Sequence, residues 1–145
     1  MSSISGLAPE DYIEIQNLYA FYNQSSDAGD ADAFAGCFAE DGVFRLPSAA
    51  LELRGRMAIL AYKKADAARR GTRYRRHWNA SLHLQRQPDG SVAGRCYLHG
   101  YNGEPGQPPE LSDVGSYADR LVKVAGIWKF AERVVSMDYS TFKAP

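Results

Sequence analysis

The sequence predicts an α+β fold on three observations. Helical periodicity is confined to the first half of the chain, two-residue alternation takes over near residue 73, and turn signals then separate a run of strands. Helices first and a long antiparallel sheet afterwards is the order of an α+β domain. A strongly curved sheet wrapped around the N-terminal helices would make a cone with an internal pocket. At 145 residues the chain is read as one domain, 1–145, long enough to bury a real core.

The elements follow in order. Pro9 or Ala8 opens a first helix, with Glu10, Asp11 and Glu14 in the turns where the helix dipole favours acids. Tyr12, Ile15, Leu18, Tyr19 and Tyr22 recur at three- and four-residue steps, which is helical spacing. Asp27-Ala28-Gly29-Asp30 ends that helix, and Asp30 caps a second, short one over 31–38 whose apolar side is Ala33, Phe34, Cys37 and Phe38. Glu40-Asp41-Gly42 reads as a turn and Val43-Phe44-Arg45-Leu46 as a short strand stopped by Pro47. A third helix over 55–70 has Met57, Leu60, Ala61 and Ala65 as its expected buried stripe. From Arg73 the period is two: Trp78, Ala80, Leu82 and Leu84 alternate with His77, Asn79, Ser81 and His83. Pro88-Asp89-Gly90 is a hairpin turn, and a strand returns over 92–101. Residues 102–115 are rich in Gly and Pro and read as a long hairpin tip or a lid. Strands over 116–124 and 127–138, joined by Ala125-Gly126, complete the meander.

Composition excludes several classes. Seventeen basic residues balance seventeen acidic ones, so no overall charge recruits nucleic acid or an anionic membrane. The run Arg69-Arg70-Gly71-Thr72-Arg73-Tyr74-Arg75-Arg76 is the local exception. It would suit an acidic ligand, although a solvated helix end and strand start explains it more cheaply. Cys37 and Cys96 fit no metal or redox spacing and read as small buried thiols in a reducing compartment. Residues 1–9 have neither a basic nor an apolar leader region, and no apolar run reaches membrane-spanning length, so a cytoplasmic protein is expected. His77 and His83 share a parity, but six strand residues separate them by roughly 20 Å, too far for one metal ion. No glycine-rich phosphate loop or Gly-x-Ser-x-Gly elbow occurs. No metal and no cofactor are expected, which leaves acid–base chemistry.

That chemistry has a candidate pair. Asp27 ends the first helix and His77 lies early in the sheet, where folding can bring them together. A carboxylate and an imidazole are the simplest apparatus for moving a proton at neutral pH. The alternative is that Asp27 merely ends its helix and His77 is a satisfied, half-buried polar group.

The segment Asp27-Ala28-Gly29-Asp30-Ala31-Asp32-Ala33-Phe34, with Cys37-Phe38-Ala39-Glu40-Asp41-Gly42-Val43-Phe44, resembles the opening of SnoaL-like proteins in the nuclear-transport-factor-2-like superfamily. Arg76-His77 with Asn79 is similar to their central strand, and Gly126-Ile127-Trp128-Lys129-Phe130-Ala131-Glu132-Arg133 to their terminal strand. The resemblance implies a cone-shaped α+β barrel, with N-terminal helices packed in a mainly antiparallel sheet. The superfamily includes cyclases, dehydratases, isomerases, dehydrohalogenases, dioxygenase small subunits and binding proteins, so fold alone does not assign function. Its dehydratase-like branch, which includes scytalone dehydratase, places an Asp–His dyad in the cone. The resemblance carries that dyad onto Asp27 and His77, a polar helper onto Tyr22 and a last-strand arginine onto Arg133.

The expected roles follow from side-chain chemistry. His77 is the general base or acid, and Asp27 accepts its other ring N–H and fixes the tautomer. Tyr22 either polarises a substrate carbonyl or hydroxyl or packs in the core. Tyr97, His99 and Tyr101 travel together on one strand face. They either line the cavity or form a solvated or dimer-facing row. His99, Tyr101 and Trp78 are accordingly candidate substrate contacts, together with Arg133. Arg133 would stabilise an enolate or bind a carboxylate, or else pair with Asp119 or Glu132. If the concave face is the polar one, Trp78, Leu82 and Leu84 form an apolar outer patch that predicts a homodimer or homotrimer. The function expected is a cofactor-independent dehydratase, isomerase or cyclase acting on a small, ring-bearing, largely apolar molecule. The alternatives are a non-catalytic ligand-binding module and a dioxygenase small-subunit-like structural partner.

Overall fold

A computed structural model of the chain describes residues 6–143. Residues 1–5, most of the segment read above for a leader, lie outside the described residues. Among the described residues no helix is long and apolar enough to cross a membrane. The elements are α1 (Pro9–Ala28), α2 (Ala31–Gly36), β1 (Phe38–Leu46), β2 (Leu51–Arg54), α3 (Arg56–Arg70), β3 (Tyr74–Arg86), β4 (Val92–Gly103), β5 (Glu110–Val124) and β6 (Ile127–Ser140). The six strands form one curved, unclosed sheet in the order β2-β1-β6-β5-β4-β3. Every pairing is antiparallel except β1 with β6.

The end of α1 is set by Gly29, whose φ of 74° takes the left-handed conformation and turns its N–H back onto the Ser25 and Ser26 carbonyls. That stop leaves Asp27 in the last helical turn, beside β3. Asp30 then starts α2 by accepting a hydrogen bond from the Ala33 N–H at 3.0 Å. The core between helices and sheet is built on Ile15, Tyr19, Phe34, Phe38, Leu98 and Phe130, each at most 3 % exposed. Burial of such side chains stabilises by about 1.5–3 kcal/mol apiece.

Four readings from periodicity are corrected here. Strand β3 does not keep one parity. Its register with β4 shifts between Ala80 and His83, and Ser81 in that gap has φ 57°. The extra residue is a bulge that exchanges the faces of the strand. Leu84 is therefore buried and Leu82 packs on the core, whereas Trp78 is 59 % exposed. The apolar patch expected from Trp78, Leu82 and Leu84 does not exist as one surface.

The stripe of α3 is also rotated. Met57 is exposed, as are Ala61 and Ala65, and the buried residues are Ile59, Lys63 and Asp66. The helix turns a polar face inward because those side chains satisfy one another. Gly42 belongs to a strand and not a turn. A Cβ there would lie 2.9 Å from the Ala39 carbonyl and 3.1 Å from the Phe130 carbonyl, so glycine accommodates the irregularity between Phe38 and Val43 in the β1–β6 ladder. Finally, the Gly- and Pro-rich segment is mostly paired backbone. Tyr101 faces Leu111 and Asn102 faces Glu110, which leaves only 104–109 as a loop.

Candidate active site

Between α1, α3 and the concave side of the sheet lies a cavity of about 250 Å³. Its apolar wall includes Tyr22, Phe34, Phe44, Leu98, Tyr117 and Val135, and His77 opens onto it. A void of roughly 150 Å³ admits benzene, so this one suits a molecule of one or two fused rings. A second depression of about 400 Å³ beside Phe21 and Ile127 is larger, but its charged lining is only Glu14 and Lys129. Neither Asp27 nor His77 lines it.

Asp27 and His77 meet. The His77 Nδ1 lies 2.5 Å from the Asp27 Oδ1, and the His77 backbone N–H donates to the other carboxylate oxygen at 3.0 Å. Asp27 thus grips both the ring and the backbone of the strand that carries it. Against an ionised carboxylate, which only accepts, Nδ1 is the ring nitrogen that carries a hydrogen. The two side chains are 16 % and 12 % exposed. One residue pair further along, the Asn23 amide donates to the Asn79 Oδ1 at 2.7 Å, which pins the same strand to α1 a second time.

Tyr22 is 4 % exposed and lies in the cavity wall. Burial pushes its phenol up to about 12, against the pull of the Arg133 guanidinium. It is therefore a protonated hydroxyl, able to donate a hydrogen bond and unable to act as a base near neutrality.

The remaining expected contacts lie elsewhere. Arg133 is wholly buried and paired with Asp119, Nε to Oδ1 at 2.7 Å and Nη2 to Oδ2 at 2.8 Å. Tyr19 donates to the same carboxylate, and the guanidinium carbon sits 3.8–4.8 Å from the ring centroids of Tyr19, Tyr22, Tyr117 and Phe130. Arg133 stands behind the aromatic wall and does not line the cavity, so its pairing with Asp119, one of the two alternatives weighed above, is the geometry found. His99 and Tyr101 lie on the opposite face of β4 from Leu98 and bond to each other at 3.2 Å. Trp78, opposite His99 in the ladder, faces outward with them. These three do not line the cavity, because His77 and Leu98 take its side of β3 and β4.

Sequence reasoning missed the polar wall opposite. Lys63, 3 % exposed, donates to the Ser26 hydroxyl at 2.7 Å and to the Asp66 Oδ2 at 2.9 Å, and Arg75 reaches that same oxygen at 3.0 Å. Burial opposes the charge on Asp66, but Lys63 and Arg75 outweigh it and hold the carboxyl below its usual range. Asp113, 7 % exposed, also lines the cavity, accepting from the Ser140 hydroxyl at 2.5 Å. The signal for the α3 wall was the spacing of Ile59, Tyr62, Lys63 and Asp66, a helical stripe hidden because half of it is charged.

A curved sheet and an enclosing pair of helices thus build a cavity with the Asp27–His77 contact at its wall. The SnoaL-like domain matches residues 8–134, and the chain belongs to that family. The fold is similar to that of ActVI-ORFA from Streptomyces coelicolor, at 27% identity over 89% of this chain and 98% of that one, with a TM-score of 0.82. A protein from Catenulispora acidiphila, in complex with S-DNPA, is similar at 26% identity over 90% and 96% of the two chains, TM-score 0.79. A putative scytalone dehydratase from Novosphingobium aromaticivorans, 21% identical over 93% and 91%, shares the fold with a TM-score of 0.77. No curated protein matches the chain.

Proposed function

We propose that the protein is a cofactor-independent acid–base enzyme of the dehydratase, isomerase or cyclase type, acting on a small ring-bearing molecule through Asp27 and His77. The observation that carries this reading is the 2.5 Å contact between His77 Nδ1 and Asp27 at the wall of the cavity. Membership of the SnoaL-like family supports it. In this mechanism Nε2 takes a proton from a carbon next to a carbonyl, and the electron pair moves into the carbonyl as an enolate. Asp27 stabilises the imidazolium that forms and keeps its orientation. In a dehydration the enolate collapses, the β-hydroxyl leaves, and His77 returns its proton to that oxygen as water departs. In an isomerisation the proton goes back to a different carbon. Tyr22, held protonated, donates to the carbonyl oxygen as charge develops there.

The test uses a ring-fused β-hydroxy ketone, 3-hydroxy-1-tetralone, whose loss of water gives a fluorescent naphthol. His77→Ala should lower turnover by about 10²–10⁴-fold, the range of a general acid–base group, with its melting temperature nearly unchanged. Asp27→Asn should retain more activity than His77→Ala, because an amide keeps part of the geometry. A folded His77→Ala protein with more than about a tenth of the wild-type rate would refute the assignment.

A further inference from the structure

The basic run 69–76 is partly exposed, but most of its arginines gather at one opening. Arg69, Arg70, Arg73 and Arg75 all line the cavity that holds His77, joined by Lys63 and Lys143. The same lining contains two carboxylates, Asp66 and Asp113. A chain with seventeen charges of each sign thus concentrates six cations against two anions around one opening of about 250 Å³.

The cations are graded by depth. The Lys63 side chain is 4 % exposed and Arg75 16 %, and both are committed to Asp66. Arg73 is 50 % exposed and only loosely paired with Glu104, at 3.4 Å. Arg69 and Lys143 are exposed, and Arg69 is bonded to the Lys143 carbonyl at 2.9 Å. Arg70 uses one nitrogen on the Ser26 carbonyl at 3.2 Å, which places its guanidinium one residue from the dyad. Asp113 accepts from the Ser140 hydroxyl at 2.5 Å and keeps its charge, yet the cations of the lining still outnumber its two carboxylates. Deep in the cavity an aromatic and aliphatic wall faces the Lys63–Asp66–Arg75 cluster, whose charges are spent on one another. At the mouth the lining is cationic.

We infer that the substrate is a ring-bearing carboxylate, entering ring first, with its anionic end held at the mouth by Arg70, Arg73 and Lys143. This rests on the reading of the cavity as a small-molecule site and adds the charge of the molecule to it. Guanidinium groups bind carboxylates through paired charge-assisted hydrogen bonds, and a partly enclosed rim screens them less than open solvent does. The carboxylate then fixes which ring carbon lies at His77, so the collar also sets orientation.

The experiment compares 1-naphthoate with 1-naphthamide, near-isosteres that differ in charge, by calorimetry on the intact protein. Naphthoate should bind at least about tenfold more tightly at low salt, as expected for charged hydrogen bonds at a half-exposed site. The preference should shrink as salt is raised, and should largely vanish in Arg73→Gln/Lys143→Gln, two exposed positions whose replacement leaves the fold intact by circular dichroism. It should persist in His77→Ala, which separates the collar from the imidazole. Equal binding of the two compounds, no binding of either, or a preference that survives the folded double variant would overturn the inference. Full turnover of 3-hydroxy-1-tetralone by His77→Ala beside an intact naphthoate preference would instead remove the acid–base mechanism and leave the anion site standing.

Discussion

Two carboxylates in this protein hold a nitrogen base by two contacts each, and they differ in what can reach them. Asp27 grips His77 through its ring at 2.5 Å and its backbone at 3.0 Å. Asp119 grips Arg133 through two guanidinium nitrogens at 2.7 and 2.8 Å. Geometry alone does not separate them. Access and titration do. His77 faces a cavity, and an imidazole changes charge within the physiological range. Arg133 is walled in by four aromatic rings, and a guanidinium stays charged at any pH a protein survives. A tight ion pair therefore points to chemistry only where one partner can release a proton and a ligand can reach it.

The largest effect that tests this contrast belongs to the sealed pair. Arg133→Met should leave Asp119 buried without its cation, at a cost of about 3–5 kcal/mol. For a chain of this size that lowers the melting temperature by roughly 10–15 °C. Removing both charges, as Arg133→Met/Asp119→Leu, should restore much of the loss, because paired burial of ions contributes little over apolar packing. Thermal melts of the three proteins decide it. An Arg133→Met variant that melts like the wild type but no longer binds naphthoate would invert the comparison and return Arg133 to the ligand.

A smaller effect comes from the pair that is half structural and half site. Asp66 has its carboxyl held below the ordinary value because the attraction of Lys63 and Arg75 exceeds the cost of burial. Its folded-state pKa is thus lower than its unfolded one of 3.8. The folded protein binds that proton less readily, so the stabilisation is fully present above the unfolded value and is lost as the pH falls through the folded one. Asp66→Asn should cost about 2 kcal/mol at pH 7, where a buried Lys63 loses its main partner. The difference from wild type should narrow steadily as the pH falls below the unfolded value of 3.8. Melting curves across that range check it, and a gap that stays constant in acid would remove Asp66 from the account.

Much of this was legible beforehand. The order of helices and strands, the cap at Asp30 and the meeting of Asp27 with His77 all follow from local signals or from the resemblance. Three things were hidden for physical reasons. The α3 stripe was misphased because an apolar count ignores Lys63 and Asp66, which are buried as a mutually satisfied pair. The basic run read as solvated because sequence does not show that α3 and β3 deliver its arginines to one opening. Trp78, Leu82 and Leu84 were read as one outer patch because the parity of β3 was carried unbroken through Ser81, and alternation alone left open which face His99 and Tyr101 take.

That residue carries the last and smallest prediction. Ser81 has φ 57°, a left-handed conformation that costs a non-glycine residue on the order of 1 kcal/mol or more. The strain is retained because the bulge lets one strand serve both regions. His77 and Asn79 before it face α1 and the cavity, and Leu84 after it enters the core. Ser81→Gly relieves the strain but adds freedom to the unfolded chain, worth about 0.4–1 kcal/mol in the other direction. The two nearly cancel, so melting should rise by no more than about 1–2 °C. Ser81→Val should fall by several degrees, since a β-branched side chain is a true outlier in that region. Equal melting of the Gly and Val variants would mean that the strand does not turn over at Ser81, and the outward placement of Trp78 and inward placement of Leu84 would need another cause.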